Sequence, residues 1–121
     1  MKRILLNMVL GSAVFAQAPD NINDKIDRMA DQLERQVIEW RRDFHENPEL
    51  SNREFRTAEK VADHLRSLGM EVQTGVAHTG VVGLLKGGKP GKVVALRADM
   101  DGLPVKEKVD LQFASKAKGI Y

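Results

Sequence analysis

The chain has 121 residues, with 19 basic and 17 acidic side chains and no cysteine. This length allows one domain at most, and the lack of cysteine excludes disulfides, thiolate ligands and a cysteine nucleophile within these residues. A formal charge of +2 with one Trp and one Tyr offers neither a broad cationic surface nor platforms for stacking bases. Nucleic acid is therefore not expected as the main partner.

Residues 1–16 have the pattern of a secretory signal peptide. A basic start, Lys2-Arg3, precedes an apolar segment over residues 4–16 that is too short for a stable membrane span. The alternative interpretation is a buried N-terminal helix. Because both leader charges leave with the peptide, the mature chain, 17–121, would be electrically neutral. The sequence thus predicts export to the periplasm or the medium.

Residues 20–46 are predicted to form one amphipathic helix that ends before Pro48. Its apolar residues recur at spacings of three and four, which places them on one stripe: Ile22, Ile26, Met29, Leu33, Val37, Trp40 and Phe44. The charged residues between them indicate a solvated face.

A second helix is expected to follow residues 51–54. Ser51 and Glu54 have the spacing of a capping box, in which each side chain accepts from the other residue's free amide. The apolar residues after it again share one face, and Gly69 is a natural C-terminal stop. We therefore expect this helix to begin beside Glu54 and to end near Gly69.

Three strands are predicted after the helices, over residues 70–76, 80–85 and 93–97. The first alternates apolar and polar residues, while the others are apolar runs, and the last reads as a buried strand. The Gly-rich segment 86–92 is interpreted as a turn and not as a phosphate loop, because a strand follows it where a phosphate loop needs a helix. The predicted fold is α/β, helix-helix-strand-strand-strand, with an incomplete sheet.

Two carboxylates, Asp99 and Asp101, directly follow the predicted third strand and precede Gly102 and Pro104. The carboxyl ends of strands are where open α/β enzymes usually place their sites. Aspartates two residues apart in a turn can converge on a divalent cation, or orient a metal-bound histidine. The same spacing is also common in loops, where aspartates cap turns. The spacing alone leaves both interpretations open.

The three histidines do not have the short spacing of a metal motif. His64 and His78 are expected to be polar surface residues, and His45 lies at the end of the first helix, where a capping role and a site role are both open.

The assembled motifs resemble the N-terminal part of the M20 metallopeptidase family, and most closely the amidohydrolases that cleave N-acyl amino acids, hippurate and auxin–amino acid conjugates. The resemblance covers nearly all of residues 17–121. The segments that carry it are 40–51 (WRRDFHENPELS), Glu54, Thr57-Ala58, 65–69 (LRSLG), 79–83 (TGVVG) and 95–104 (ALRADMDGLP).

This resemblance implies a zinc-aminopeptidase-like α/β catalytic domain in a two-metal hydrolase. Its two divalent ions, typically zinc, manganese or nickel, would hold a bridging hydroxide that attacks the amide of an N-acyl amino acid or small peptide. It also implies a smaller inserted domain that often mediates dimerisation, so a homodimer is possible in the longer protein.

Carried onto this sequence, the resemblance assigns Asp101 to the aspartate that orients and polarises a metal ligand. Asp99 falls where other branches of the family have a histidine ligand. His45, Pro48 and Glu49 match a segment near the site that we assign no chemistry.

The family's His-Ala-Cys-Gly-His-Asp motif, which supplies metal ligands, does not occur within these residues. The chain is therefore expected to be the N-terminal portion of the catalytic domain, to bind no metal and to be inactive alone. The alternative is a non-catalytic truncated remnant or a small binding module.

The leader interpretation predicts a defined mature end. Expression in a secreting bacterial host should give a product that begins at Gln17, because Val14 and Ala16 are small residues suited to a signal-peptidase cut. The competing cut, after Ala18, would place Pro19 directly behind the scissile bond. N-terminal sequencing checks this, and an exported product that retains Met1 would contradict it.

Overall fold

The computed structural model describes residues 21–117, so the predicted signal peptide, 1–16, lies outside the described residues. Its elements in chain order are α1 (Ile22–Glu46), α2 (Phe55–Ser67), β1 (Glu71–Val76) and β2 (Gly80–Leu84). The α/β class and the first four predicted elements are confirmed. Within residues 21–117, no helix is long and apolar enough to cross a membrane.

Helix α1 is shared by two compact units, one up to Glu34 and one from Arg35 onward. In the first unit the apolar stripe forms as predicted but stays accessible, since Ile22 is 65% and Leu33 is 47% exposed. No residue of α1, which is described over its full length, is buried. The periodicity therefore predicts the helix correctly without predicting what covers it.

In the second unit, α2 packs on both strands. Ala62 on α2 is 1% exposed and is the only fully buried apolar residue of the described chain. Gly83 on β2 sits so close to α2 that a Cβ there would come within 2.9 Å of Leu65 Cδ1. The absence of a side chain at Gly83 thus allows the hairpin to pack this closely against the helix.

Strands β1 and β2 form an antiparallel hairpin whose register pairs Glu71 with Leu84 and Val76 with Gly80. The pairing is irregular between Gln73 and Val76, where Gly75 has a φ of 72°. Such a bulge places one extra residue in a strand and turns its end. The hairpin turn that follows leads directly into Thr79.

Glu54 and Thr79 form a buried polar contact between the start of α2 and the hairpin turn. They are 7% and 8% exposed, and the Thr79 hydroxyl donates to Glu54 Oε2 over 2.6 Å. This hydrogen bond, followed by backbone N–H groups around Glu54, lowers the pKa of the Glu54 carboxyl. The carboxylate is therefore ionised near neutral pH although little of it reaches solvent.

The predicted capping box at Ser51 and Glu54 is wrong. Glu54 is the N-cap residue of α2, but its side chain makes no capping bond. The Glu49 carboxylate does this instead, since Arg56 N donates to Oε1 over 3.0 Å and Thr57 N donates to Oε2 over 2.7 Å. A carboxylate from outside the helix thus satisfies two free amides of its first turn.

The predicted third strand, over residues 93–97, is not formed. Val93, Val94 and Leu96 are 89%, 83% and 96% exposed, so the segment is not buried either. A strand needs a neighbour for its N–H and C=O groups, and the described part of the chain pairs β1 and β2 only with each other. The apolar run over residues 93–97 indicates a segment that is suited to burial, but the described residues provide no surface that covers it.

Replacing Glu49 should destabilise the second unit. Glu49→Gln removes the negative charge from the start of α2 and leaves one acceptor oxygen for two amides, so the free energy of unfolding should fall by about 1 kcal/mol. Urea unfolding followed by circular dichroism measures this. The control is Glu59→Gln, an exposed glutamate of the same helix, and equal stabilities for both variants would contradict the assignment.

The Glu54–Thr79 contact predicts a pH dependence. Because the pKa of Glu54 in the folded chain lies below its ordinary 4.5, its ionisation stabilises the fold above that pH and the benefit is lost as the pH falls through the lower folded value. Thr79→Val removes the largest cause of this lowering. We expect its unfolding free energy to decline less steeply below pH 4.5 than that of the unmodified chain, measured by urea unfolding at several pH values.

Thr74→Val, at an exposed position of β1, is the matched control for Thr79→Val. It should leave the pH dependence of stability unchanged. Parallel pH profiles for all three proteins would show that the Thr79 hydroxyl does not stabilise the charged form of Glu54.

Candidate functional site

The two predicted aspartates line an open cleft of about 260 Å³. The segment from Arg97 to Asp101 lines it together with residues of the turn before α2 and of the hairpin turn. The buried Glu54–Thr79 pair is among these lining residues. Three carboxylates of the described chain therefore line the same cleft.

Asp99 and Asp101 differ in what holds them. Asp99 Oδ1 accepts from Arg97 Nε over 3.1 Å and lies 3.0 Å from an Arg97 terminal nitrogen. Both side chains are largely exposed, at 72% and 88%, so this ion pair contributes little to stability. Asp101 is also exposed, but the backbone that follows it is fixed.

Gly102 fixes the backbone beside Asp101. Its N–H donates to Glu49 O over 2.7 Å, and it forms a parallel bridge with Leu50. A Cβ at this position would come within 3.0 Å of Pro48 Cβ, so the glycine allows the two backbones to approach. The segment that carries the aspartates thereby lies against the loop after α1, which contains the family-like residues Pro48 and Glu49.

The three histidines occupy separate places. The His45 Nε2–H donates to Glu107 Oε1 over 2.8 Å at the end of α1. His64 is exposed on α2, as predicted, with its ring centroid 4.6 Å from that of Trp40. His78 lies in the hairpin turn, also exposed, with a φ of 93° and its ring 5.6 Å from Phe55.

The described residues do not make up a metal centre. Within residues 21–117 no three His, Cys, Asp or Glu side chains come together as a group able to hold an ion. Asp99 and Asp101 supply hard oxygen donors, but no imidazole joins them, and two-metal sites need ligands for both ions.

A second cavity, of about 360 Å³, lies between α1 and α2 in the unit from Arg35 onward. Its walls are mainly apolar, with Trp40, Phe44 and Leu65 among them. It contains neither aspartate of the cleft, so the chemistry-bearing residues and the apolar cavity are distinct features.

The sequence predicts the aspartate pair but not the contacts of Glu49 and Glu54. Glu49, to which the resemblance assigns no chemistry, caps α2, and Glu54 accepts from Thr79 instead of forming the predicted capping box. A signal for Glu49 was present, since it precedes the start of α2 by six residues and could reach back to its free amides. Nothing in the local sequence links Glu54 to Thr79, which is 25 positions away.

Comparison with known proteins identifies the group to which this arrangement belongs. No model of a protein family matches the chain. The chain is 52% identical over 98 residues to thermostable carboxypeptidase 2 of Saccharolobus solfataricus, and the alignment covers 80% of this chain and 25% of that protein. It is 43% identical over 97 residues to an N-acyl-L-amino acid amidohydrolase of Geobacillus stearothermophilus, in an alignment that covers 80% of this chain and 26% of that protein.

The fold leads to the same group. A crystal structure of a dinuclear metal-binding peptidase of the M20 family from Bacillus subtilis matches with a TM-score of 0.67 and 40% identity, covering 74% of the chain and 25% of that protein. The chain thus spans about a quarter of the length of these relatives. Sequence and fold agree that the chain belongs to the M20 family of metallopeptidases and amidohydrolases.

Proposed function

We propose that this chain belongs to a metal-dependent amidohydrolase that cleaves the amide bond of N-acyl amino acids or small peptides. The observation that carries the proposal is the aspartate-lined cleft in a chain whose relatives are a carboxypeptidase and an N-acyl amino acid amidohydrolase. The expected cofactors are divalent ions, with zinc, manganese and nickel as the candidates.

Asp101 is the residue to which we assign a fixed role. The Gly102–Glu49 hydrogen bond holds its backbone, while its side chain stays exposed at the cleft. These features suit a carboxylate that orients a metal-binding side chain. Asp99 would contribute a second carboxylate to the same cleft.

The 121 residues alone should not hydrolyse amides. The residues that line the cleft include carboxylates but no histidine. His45 and His64 contact other parts of the chain, and the ring of His78, in the hairpin turn, lies against Phe55. Two further proposals rest on sequence alone. Export rests on the leader pattern of residues 1–16, and dimerisation through an inserted domain rests on the resemblance to longer relatives.

A chimera tests the proposed function. The matching stretch of the Geobacillus stearothermophilus amidohydrolase would be replaced by this chain's residues, and hydrolysis of an N-acetyl amino acid measured with added divalent ions. We expect a metal-dependent enzyme whose kcat falls by about 10- to 100-fold in the Asp101→Asn variant, the loss typical when a group that orients a metal ligand is changed.

Asp110→Asn, an exposed aspartate outside the cleft, is the matched control and should leave kcat unchanged. A folded chimera without activity, beside an active parent enzyme, would contradict the proposed function and favour a binding module. Metal-dependent turnover by the 121-residue chain itself would contradict its expected inactivity.

A further inference from the structure

The aspartate-bearing segment, which we define as residues 99–107, is fastened at two points to the region where α1 ends. One fastening is the Gly102 N–H to Glu49 O bond of 2.7 Å. The other is the 2.8 Å bond between His45 Nε2 and Glu107 Oε1. Because the two fastenings lie on either side of residues 103–106, the second limits how far the backbone after Asp101 can swing.

Glu107 is well placed to hold residues 99–107 near the end of α1. Its side chain is 19% exposed, and its two oxygens serve different partners, since Oε1 accepts from His45 and Oε2 accepts from the Ser115 backbone N–H over 2.9 Å. The Ser115 amide first, and the His45 hydrogen bond second, lower the pKa of the Glu107 carboxyl. A charged acceptor makes both hydrogen bonds stronger than neutral ones.

The chain after Glu107 reinforces this arrangement. The Phe113 ring meets the His45 ring edge-on at 5.5 Å, and the guanidinium groups of Arg41 and Arg42 lie 5.6 and 5.1 Å from its centroid. Such contacts add packing and cation–π attraction around the histidine.

Lys116 closes the same region. Its backbone N–H donates to Glu46 O over 2.7 Å, and its Nζ lies 2.6 Å from Glu46 Oε1. The backbone bond satisfies a carbonyl at the last residue of α1, which has no partner within the helix.

We propose that His45 and Glu107 are positioning residues, whose hydrogen bond holds the Asp101 backbone in place at the cleft. This inference rests on the proposed function for its consequence in catalysis, but the geometry it asserts can be tested without activity. It gives His45 a role through Glu107 and not through contact with substrate or metal.

Amide hydrogen exchange of the 121-residue chain tests the geometry. His45→Leu removes the donor to Glu107, so the amides of Ser115, Lys116 and Gly102 should exchange about 5- to 10-fold faster, as expected for the loss of one hydrogen bond. The Gln73 amide, in β1, serves as an internal reference and should not change. NMR spectroscopy resolves the four amides separately.

Two variants accompany His45→Leu. His45→Gln keeps an N–H donor near the position of Nε2, so it should restore slow exchange at all three amides. His64→Leu is the matched control, because His64 also makes a ring contact on a helix of this unit but has no contact with residues 99–107 among its described bonds. It should leave the three amides unchanged.

Several results would overturn the proposal. If the amides of Ser115 and Lys116 exchange faster but that of Gly102 does not, the His45–Glu107 hydrogen bond does not restrain the backbone next to Asp101. A loss of protection that includes Gln73, or that His45→Gln fails to restore, would indicate a general loss of stability. Absence of protection at Ser115 in the unmodified chain would overturn it as well.

The chimera separates this inference from the proposed function. In an active chimera, His45→Leu should lower kcat about 10-fold with KM little changed, and His45→Gln should recover most of it, because only the placement of Asp101 is altered. If His45→Leu leaves the kcat of an active chimera unchanged, the positioning role is overturned. If every chimera is inactive, the proposed function fails, and the exchange experiment alone decides the positioning role.

Discussion

Glu49 makes two different connections, and the arrangement of the second unit depends on both. Its carboxylate accepts the amides of Arg56 and Thr57 in the first turn of α2, while its backbone carbonyl accepts the amide of Gly102. One residue thus fixes where α2 begins and where the segment carrying Asp101 crosses the loop after α1. The charge at the helix start and the backbone bond are independent, so a change to the side chain leaves the Gly102 acceptor in place.

The cleft follows from these connections. With the start of α2 held by Glu49, Glu54 stands at the end of the helix that faces the hairpin turn, and Thr79 meets it there. The bulge in β1 and the turn residues with positive φ allow the hairpin to present Thr79 at that point. Local conformations of low intrinsic preference are thus accepted where they complete a buried hydrogen bond.

The parts of the fold predicted from sequence are those that local pattern determines. The helical periodicity of α1 and the alternation in β1 were sufficient, because both reflect interactions between neighbours in the chain. The third strand, over residues 93–97, was wrong because a strand depends on a neighbour distant in sequence. The local capping box of Ser51 and Glu54 was wrong because Glu49 caps the helix and Glu54 instead accepts from Thr79, 25 positions away. The adjacency of Asp99 and Asp101 followed from spacing, but their sharing one cleft with Glu54 and Thr79 required the tertiary structure.

The two aspartates also show why equal chemistry need not mean equal roles. Asp99 forms an ion pair with Arg97 in which both side chains are exposed. Solvent screens this pair, so breaking it costs little free energy. Asp101 makes no such pair within the described chain, but its backbone is held through Gly102. A fixed backbone limits where a carboxylate can lie, which suits a group that must orient another ligand. We therefore propose the orienting role for Asp101, while the exposed pair with Arg97 leaves the Asp99 carboxylate less fixed.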